Sequence, residues 1–160
     1  MDLLQEAELL RKVPMFARLE PARLKLLAFT SQSLDFTSGE ELFRAGDPAD
    51  SAYVIMEGEL EVMADTDAGE VVAVILGRNQ LVGEMGVLSK APRSATIRAK
   101  GEATALRITD EAFIKLLLDN PEVALDVMRQ LSDKLAQSHK QFEDMQSRLL
   151  RVESSGPGAA

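Results

Sequence analysis

The chain has 160 residues, of which 46% are hydrophobic and 28% are charged, a composition typical of one folded globular domain. It contains no cysteine, which excludes disulfides, thiolate metal sites and thiol catalysis, and no apolar run approaches the length of a membrane span. The formal net charge of −8 argues against general binding to DNA or RNA, because phosphate neutralisation normally needs a basic face. We therefore expect a cytoplasmic protein without a nucleic-acid or membrane partner.

Residues 1–27 are expected to form two short helices. Apolar residues between Leu3 and Leu10 recur at helical spacing, and this pattern stops before Pro14. Pro21 can open the second helix, since proline suits the first helical position.

Residues 28–109 have the character of a β-sheet. Short runs rich in Val, Ile, Phe and Tyr are separated by glycine or aspartate turns, a pattern typical of a β-sandwich or barrel. The expected strands lie near residues 33–39, 41–46, 52–58, 59–65, 70–76, 95–100 and 104–108. The run DTDAGE at 65–70 is predicted to be the tip of a hairpin.

Residues 110–153 return to a helical pattern. Asp110 and Glu111 suit a first helical turn, where acidic side chains meet the positive end of the helix dipole. The pair Asn120-Pro121 then ends one helix and starts the next, with Asn120 as the N-cap and Pro121 as the first helical residue. The second helix can run to about Val152, roughly 48 Å at 1.5 Å per residue.

This last helix carries apolar residues at alternating spacings of three and four. The resulting seam consists of Met128, Leu131, Leu135, Ser138, Phe142, Met145, Leu149 and Val152. Such a seam, with one polar member, predicts a parallel homodimer through the helix; packing on its own domain is the alternative. We interpret residues 1–153 as a single domain and residues 154–160 as a flexible tail.

The run GEMGVLSKAPRSA, which begins at residue 83, combines features that suit an anion. Gly83 and Gly86 allow the backbone to approach a ligand closely, and MGVLS can form a short helix whose free N–H groups point outward. Arg93 adds a planar cation that pairs well with phosphate oxygens. Glu84 would repel a phosphate, so a hydroxyl donor such as a ribose is its expected partner. Phosphate and ribose side by side indicate a nucleotide.

The run GEMGVLSKAPRSATIRA closely resembles the phosphate-binding cassette of cyclic-nucleotide-binding domains, found in catabolite-activator-type regulators, protein kinase A regulatory subunits and cyclic-nucleotide-gated channels. FTSGEELFRAGDPADSAYVIMEGELEV matches the family's early strands, with Gly39, Gly46 and Gly58 at turn positions. The resemblance covers most of the chain. It implies a mainly β fold, an eight-stranded β-roll or jelly roll with an N-terminal helical segment, a cassette at 83–96 and a long C-terminal helix.

The resemblance also implies the residues that hold the ligand. They are Gly83, Glu84, Met85, Gly86, Arg93, Ser94, Ser138 and His139. Glu84 would accept from the ribose 2′-hydroxyl and Arg93 would bind the exocyclic phosphate oxygens, with backbone groups of Gly83 and Met85 beside the sugar and phosphate. Ser94 would lie beside the phosphate and base. Asn79 departs from the family pattern, which commonly has a turn glycine there, but asparagine tolerates left-handed geometry.

Two of these residues, Ser138 and His139, occupy the positions at which catabolite-activator-type relatives have a threonine-serine pair that binds the adenine amino group. A hydroxyl can accept from adenine or donate to the guanine carbonyl, and Ser94 is equally ambiguous. Cyclic AMP is therefore the expected ligand, with cyclic GMP as a real competitor. His139 is otherwise a solvated or interface residue, with Glu143 as its one plausible companion on the helix.

The sequence thus predicts a cyclic-nucleotide receptor that signals through its C-terminal helix to a protein partner. The alternative is the excised sensory domain of a larger transcription regulator, channel or kinase. An enzyme is not expected, because no motif supplies a nucleophile, an acid–base pair, metal ligands or a bound cofactor. Two alternatives are an ordinary surface ion pair between Glu84 and Arg93 and a domain that has lost its ligand. The presence of both residues within the cassette pattern argues against each.

Overall fold

The computed structural model describes residues 2–154. Its helices are α1 (Leu3–Arg11), a single 3-10 turn (Pro14–Phe16), α2 (Pro21–Thr30), α3 (Glu84–Ser89), α4 (Asp110–Asp119) and α5 (Pro121–Ser154). Its strands are β1 (Gln32–Phe36), β2 (Glu41–Phe43), β3 (Ser51–Thr66), β4 (Gly69–Leu76), β5 (Leu81–Val82) and β6 (Thr96–Thr109). This mainly antiparallel β fold with N-terminal helices and a long C-terminal helix confirms the predicted fold class.

The strands form one sheet built around its two longest members. The strand order is β1-β6-β3-β4, while β2 also pairs with β6 and β5 with β3, all antiparallel. Gly58 in β3 and Gly101 in β6 have φ of +82° and +74°, and the pairing of the two strands shifts register on both sides of Glu57. Divided at these glycines, the two long strands account for four strands, which brings the six to the eight expected of the β-roll.

The sheet encloses an apolar core that also anchors the short strand before the cassette. The buried cluster consists of Phe43, Tyr53, Ile55, Leu60, Val82, Ile97, Ala99, Ala103 and Ala105. Val82 of β5 belongs to this cluster and pairs with Tyr53 of β3. The start of the cassette is therefore tied to the centre of the fold.

Local signals placed most element ends correctly. Asp2 caps α1 by accepting from the Gln5 backbone N–H at 2.8 Å, and Pro21 is the first residue of α2 as predicted. The expected hairpin tip is confirmed, because β3 pairs with β4 through Thr66↔Gly69. Thr109 caps α4 by accepting from a backbone N–H through its side-chain hydroxyl.

The junction between α4 and α5 follows the predicted Asn-Pro break. Pro121 is the first residue of α5, and the carbonyl of Asn120 accepts from the Val123 N–H at 3.0 Å. The Asn120 side chain points back toward α4, where its amide nitrogen donates to the Leu116 carbonyl at 2.8 Å. Asn120 therefore also satisfies a carbonyl near the end of α4.

The chain divides into two compact units, the first ending at Val123 and the second beginning at Ala124. The second unit contains the rest of α5, on which most of the predicted seam is exposed, with Leu131 half-buried. The predicted boundaries of the domain stay a prediction, and the predicted tail lies outside the described residues apart from Ser154. No helix within residues 2–154 is long and apolar enough to cross a membrane.

Candidate ligand-binding site

The cassette is a short helix held between two residues with left-handed backbone. Gly83, with φ of +79°, precedes α3, and Lys90, with φ of +53°, follows it. The Ala91 N–H donates to the Gly86 carbonyl at 3.2 Å, which turns the chain back toward β6. The predicted short helix is confirmed, and it begins at Glu84.

The backbone of Arg93 is held by two hydrogen bonds to the turn that precedes β3. Its N–H donates to the Asp47 carbonyl and its own carbonyl accepts from the Gly46 N–H, both at 2.8 Å. The turn between β2 and β3 is therefore hydrogen-bonded to the end of the cassette. Sequence reasoning assigned Gly46 only to a family turn and missed this contact, because the two partners lie more than 40 positions apart along the chain.

The Arg93 guanidinium is buried and lies against the start of the cassette. Its Nη1 donates to the Gly83 carbonyl at 2.7 Å, and its Nη2 donates to the Ser51 carbonyl. Its Cζ atom lies 3.9 Å from the centroid of the Phe43 ring. Ser51 and Phe43 were not predicted as site residues. Only the three-dimensional structure shows them, since neither stands at a diagnostic spacing from Arg93.

The environment of this cation favours an anionic partner. Burial lowers the pKa of the Arg93 guanidinium below its usual value, an effect opposed by Tyr53, Asp50 and Asp47. The group remains charged, because arginine is effectively always protonated in proteins. Its Nε is buried without a hydrogen-bond partner among residues 2–154. A guanidinium has five N–H donors, so donors remain for the oxygens of a phosphate.

Glu84 occupies the first position of α3, directly after the glycine that holds Arg93. The residue is only 8% exposed, and Arg93 is 5% exposed. These values are inconsistent with an ordinary surface ion pair, in which both groups would be solvated. A carboxylate ordinarily stays in water, and at this position it suits a ligand hydroxyl that can donate to it.

The glycines of the cassette make room for Arg93 itself. A β-carbon built on Gly83 would lie 2.6 Å from Arg93 Nη1 and 3.2 Å from a ring carbon of Phe43. One built on Gly86 would lie 2.8 Å from the Ala49 β-carbon and 3.6 Å from Arg93 Nη1. Both glycines were predicted to allow a ligand to approach closely. The structure gives them a second role, which is to leave space for side chains of the protein itself.

The structure brings six of the eight predicted site residues together on the cassette. Met85 and Ser94 are exposed there, beside the buried pair of charged residues. Ser138 and His139 are exposed on α5, in the second unit, and His139 Nε2 lies 3.0 Å from Glu143 Oε1 as the helical spacing suggested. No group of three or more potential metal ligands occurs among the described residues.

Asn79, the departure from the family's usual turn glycine, adopts the conformation that glycine would. Its φ is +70°, and its N–H donates to the Ile55 carbonyl at 2.8 Å. The predicted tolerance of asparagine at this turn is confirmed.

Comparison with known proteins agrees with this geometry. The family model for the cyclic nucleotide-binding domain matches residues 33–120, more than half of the chain. The chain belongs to the cyclic nucleotide-binding domain family, which confirms the resemblance carried by the cassette. The match includes the whole sheet apart from the first residue of β1, together with the cassette and α4.

Individual relatives come from bacterial regulators and from kinase subunits. The CRP-like cAMP-activated global transcriptional regulator of Mycobacterium tuberculosis is 25% identical over 86% of this chain and 62% of its own length. The cAMP-dependent protein kinase type II regulatory subunit of Drosophila melanogaster is 32% identical over 91% of this chain and 35% of its own length. The chain thus spans less than two thirds of either curated relative.

A solved structure gives the same assignment of the fold. The sensor domain of the transcriptional regulator DNR from Pseudomonas aeruginosa is 25% identical, with a TM-score of 0.78 over 88% of this chain and 95% of that one. Because the relatives include proteins named as transcriptional regulators, the predicted lack of a nucleic-acid partner finds no support in these comparisons.

Proposed function

We propose that this chain is a cyclic-nucleotide receptor that binds cyclic AMP, with cyclic GMP as a competitor, and that acts as a binding module without catalysis. The observation that carries the proposal is the buried guanidinium of Arg93, which donates at 2.7 Å to the carbonyl of Gly83, the residue directly before the buried Glu84. A buried cation bonded to the backbone next to a buried acid suits a ligand that presents a phosphate and a hydroxyl close together. The phosphate and ribose of a cyclic nucleotide meet this requirement.

The proposal assigns each group one contact. Arg93 binds the exocyclic phosphate oxygens, Glu84 accepts from the ribose 2′-hydroxyl, and backbone groups of Gly83, Met85 and Gly86 lie along the sugar and phosphate. Ser94 lies beside the phosphate and base. Ser138 and His139 of α5 read the base, which is how a change in the ligand would reach the C-terminal helix. We propose a homodimer through α5 and a protein effector as the recipients of that change, in the cytoplasm.

Calorimetric titration of the ligand-free protein tests the proposal. Cyclic AMP and cyclic GMP are each titrated into the parent chain and into Arg93→Ala and Glu84→Ala. Loss of a hydrogen bond to a charged group costs roughly 1.5–3 kcal/mol, or about ten- to a hundredfold in affinity, in each variant. No binding by the parent chain, or unchanged affinity in both variants, would contradict the proposed site.

A matched pair of controls lies on the same sheet. Arg98 of β6 and Glu61 of β3 are also an arginine and a glutamate, with Nε and Oε1 3.4 Å apart, outside the cassette. Arg98→Ala and Glu61→Ala remove the same charges from the acidic chain without touching the proposed ligand contacts. Their affinity for cyclic AMP should stay within about twofold of the parent, since neither side chain belongs to the proposed site.

A second candidate is that the chain is the sensory part of a larger regulator, channel or kinase. The lengths of the relatives favour it, because the two curated proteins above extend well beyond the part that this chain matches. The extent of the reading frame around the coding sequence distinguishes the two candidates. A frame that encodes a further domain would support the larger regulator, and a frame limited to this chain would support the single receptor.

A further inference from the structure

Phe43 stands at the end of β2, where its ring faces the proposed phosphate-binding residue. The ring is 9% exposed, and the Arg93 Cζ atom lies 3.9 Å from its centroid. The ring also packs against the ring of Tyr53, with the two centroids 6.1 Å apart and the ring planes inclined by 38°.

The contact constrains the guanidinium in the direction that its hydrogen bonds leave free. The N–H groups of a guanidinium lie in its plane, so the bonds from Nη1 and Nη2 to the carbonyls of Gly83 and Ser51 restrain the group chiefly within that plane. An aromatic face attracts a cation placed above it, and the attraction is strongest where water is excluded. The ring therefore covers the central carbon of the group, while the two carbonyls accept from its Nη1 and Nη2.

We propose that Phe43 is a positioning residue for Arg93, which keeps the remaining N–H donors aimed where the phosphate of the ligand binds. The proposal rests on the proposed function, since it concerns the same phosphate contact. It adds that affinity depends on a residue 50 positions earlier in the chain, through the electrostatics of an aromatic ring and not through contact with the base.

A purely structural role for Phe43 makes different predictions. The residue belongs to the buried cluster that includes Val82 and Ile97, so a smaller side chain there would lower stability in either case. A packing role requires only an apolar group of the right shape. A positioning role requires the negative face of the ring. The first experiment below tests the contact between ring and guanidinium, and the affinity measurements separate the two roles.

The first experiment observes the arginine without any ligand. In protein labelled with ¹⁵N-arginine, the Arg93 Nε–Hε resonance is identified by its loss in Arg93→Lys. We expect this proton to be shifted upfield by the ring, to move into the range of the other arginines in Phe43→Leu, and to stay shifted in Phe43→Tyr. An Arg93 resonance that does not move in Phe43→Leu would overturn the proposal.

The second experiment measures affinity for cyclic AMP by calorimetry. Phe43→Leu should bind about five- to thirtyfold more weakly, which corresponds to about 1–2 kcal/mol for a desolvated cation–π contact. Phe43→Tyr should recover most of the affinity. Phe29→Leu makes the same change on a side chain that is 74% exposed on α2, and should bind like the parent.

A series of fluorinated phenylalanines at position 43 keeps the test decisive if the leucine or tyrosine variant folds poorly. Added fluorine weakens the negative face of the ring while nearly preserving its shape, so affinity should fall stepwise with each substitution. Constant affinity across the series would overturn the proposal. Failure of the parent to bind cyclic AMP would refute the proposed function instead, and the Arg93 resonance would still test whether the Phe43 ring lies over the guanidinium.

Discussion

Replacing Gly83 with alanine perturbs the cassette at the point where its backbone and its cation meet. The added β-carbon would lie 2.6 Å from Arg93 Nη1, whereas non-bonded atoms prefer about 3.5–4.0 Å, so the guanidinium must move by roughly 1 Å. A shift of the new β-carbon away from the guanidinium is limited by Phe43, whose ring carbon lies 3.2 Å from it. The 2.7 Å bond from Nη1 to the Gly83 carbonyl would lengthen beyond useful range.

The expected result has two separable parts. A non-glycine residue held at φ of +79° costs about 1–3 kcal/mol of stability. Displacing Arg93 also weakens its proposed charge-assisted hydrogen bond to the phosphate of the ligand. Such a bond contributes about 1.5–3 kcal/mol, so affinity for cyclic AMP should fall ten- to a hundredfold. Urea denaturation measures the stability, and calorimetry measures the affinity.

Gly39→Ala isolates the first part. Gly39 has a similar φ of +86°, and a β-carbon built on it meets no atom within 4 Å. Both variants should therefore lose stability from the backbone conformation, whereas only Gly83→Ala should lose affinity. Equal affinities in the two variants would refute the reasoning that Gly83 leaves space for the ligand-binding guanidinium.

Three further predictions concern other parts of the chain. Gly58→Ala should lose more stability in urea than Gly39→Ala, because its β-carbon would lie 2.4 Å from the Glu102 carbonyl oxygen; similar losses would contradict this. Phe142→Asp or Leu135→Asp should convert the proposed homodimer to a monomer in sedimentation, and a parent chain that is monomeric at high concentration would refute the seam. Ser138→Ala should shrink the affinity ratio between cyclic AMP and cyclic GMP, and untouched affinities for both would show that this serine does not read the base.

The predictable parts of the fold are those with local signals. Proline at position 21 and the Asn-Pro pair at 120 fixed where helices begin, since both act through the backbone of the residue itself. The strand segments were also located correctly apart from the two-residue β5, but 52–58 and 59–65 are the two halves of β3, and 95–100 and 104–108 are the two halves of β6. Gly58 was interpreted as a turn, whereas its positive φ interrupts the ladder without ending the strand.

The site was predictable only where its residues are close together in the sequence. The run that contains Glu84 and Arg93 is continuous, so its residue types and spacing were visible as a pattern. The groups that hold Arg93 come from elsewhere: the Ser51 carbonyl lies 42 positions before it, and the Phe43 ring is earlier still. A backbone carbonyl leaves no mark on the sequence, and a lone phenylalanine at the end of a strand is indistinguishable from any other core residue.

The long-range contacts also explain how an acidic chain could maintain the proposed site for a phosphate. With a net charge of −8, the overall field repels a phosphate, and screening by salt reduces that repulsion beyond about 10 Å. Attraction must therefore be local, and a flexible surface arginine would lose much of it to solvation and side-chain entropy. In this chain the carbonyls of Gly83 and Ser51 and the ring of Phe43 order the cation before any ligand arrives. Pre-ordering reduces the entropy lost on binding, so one buried arginine can act where several exposed ones would otherwise be needed.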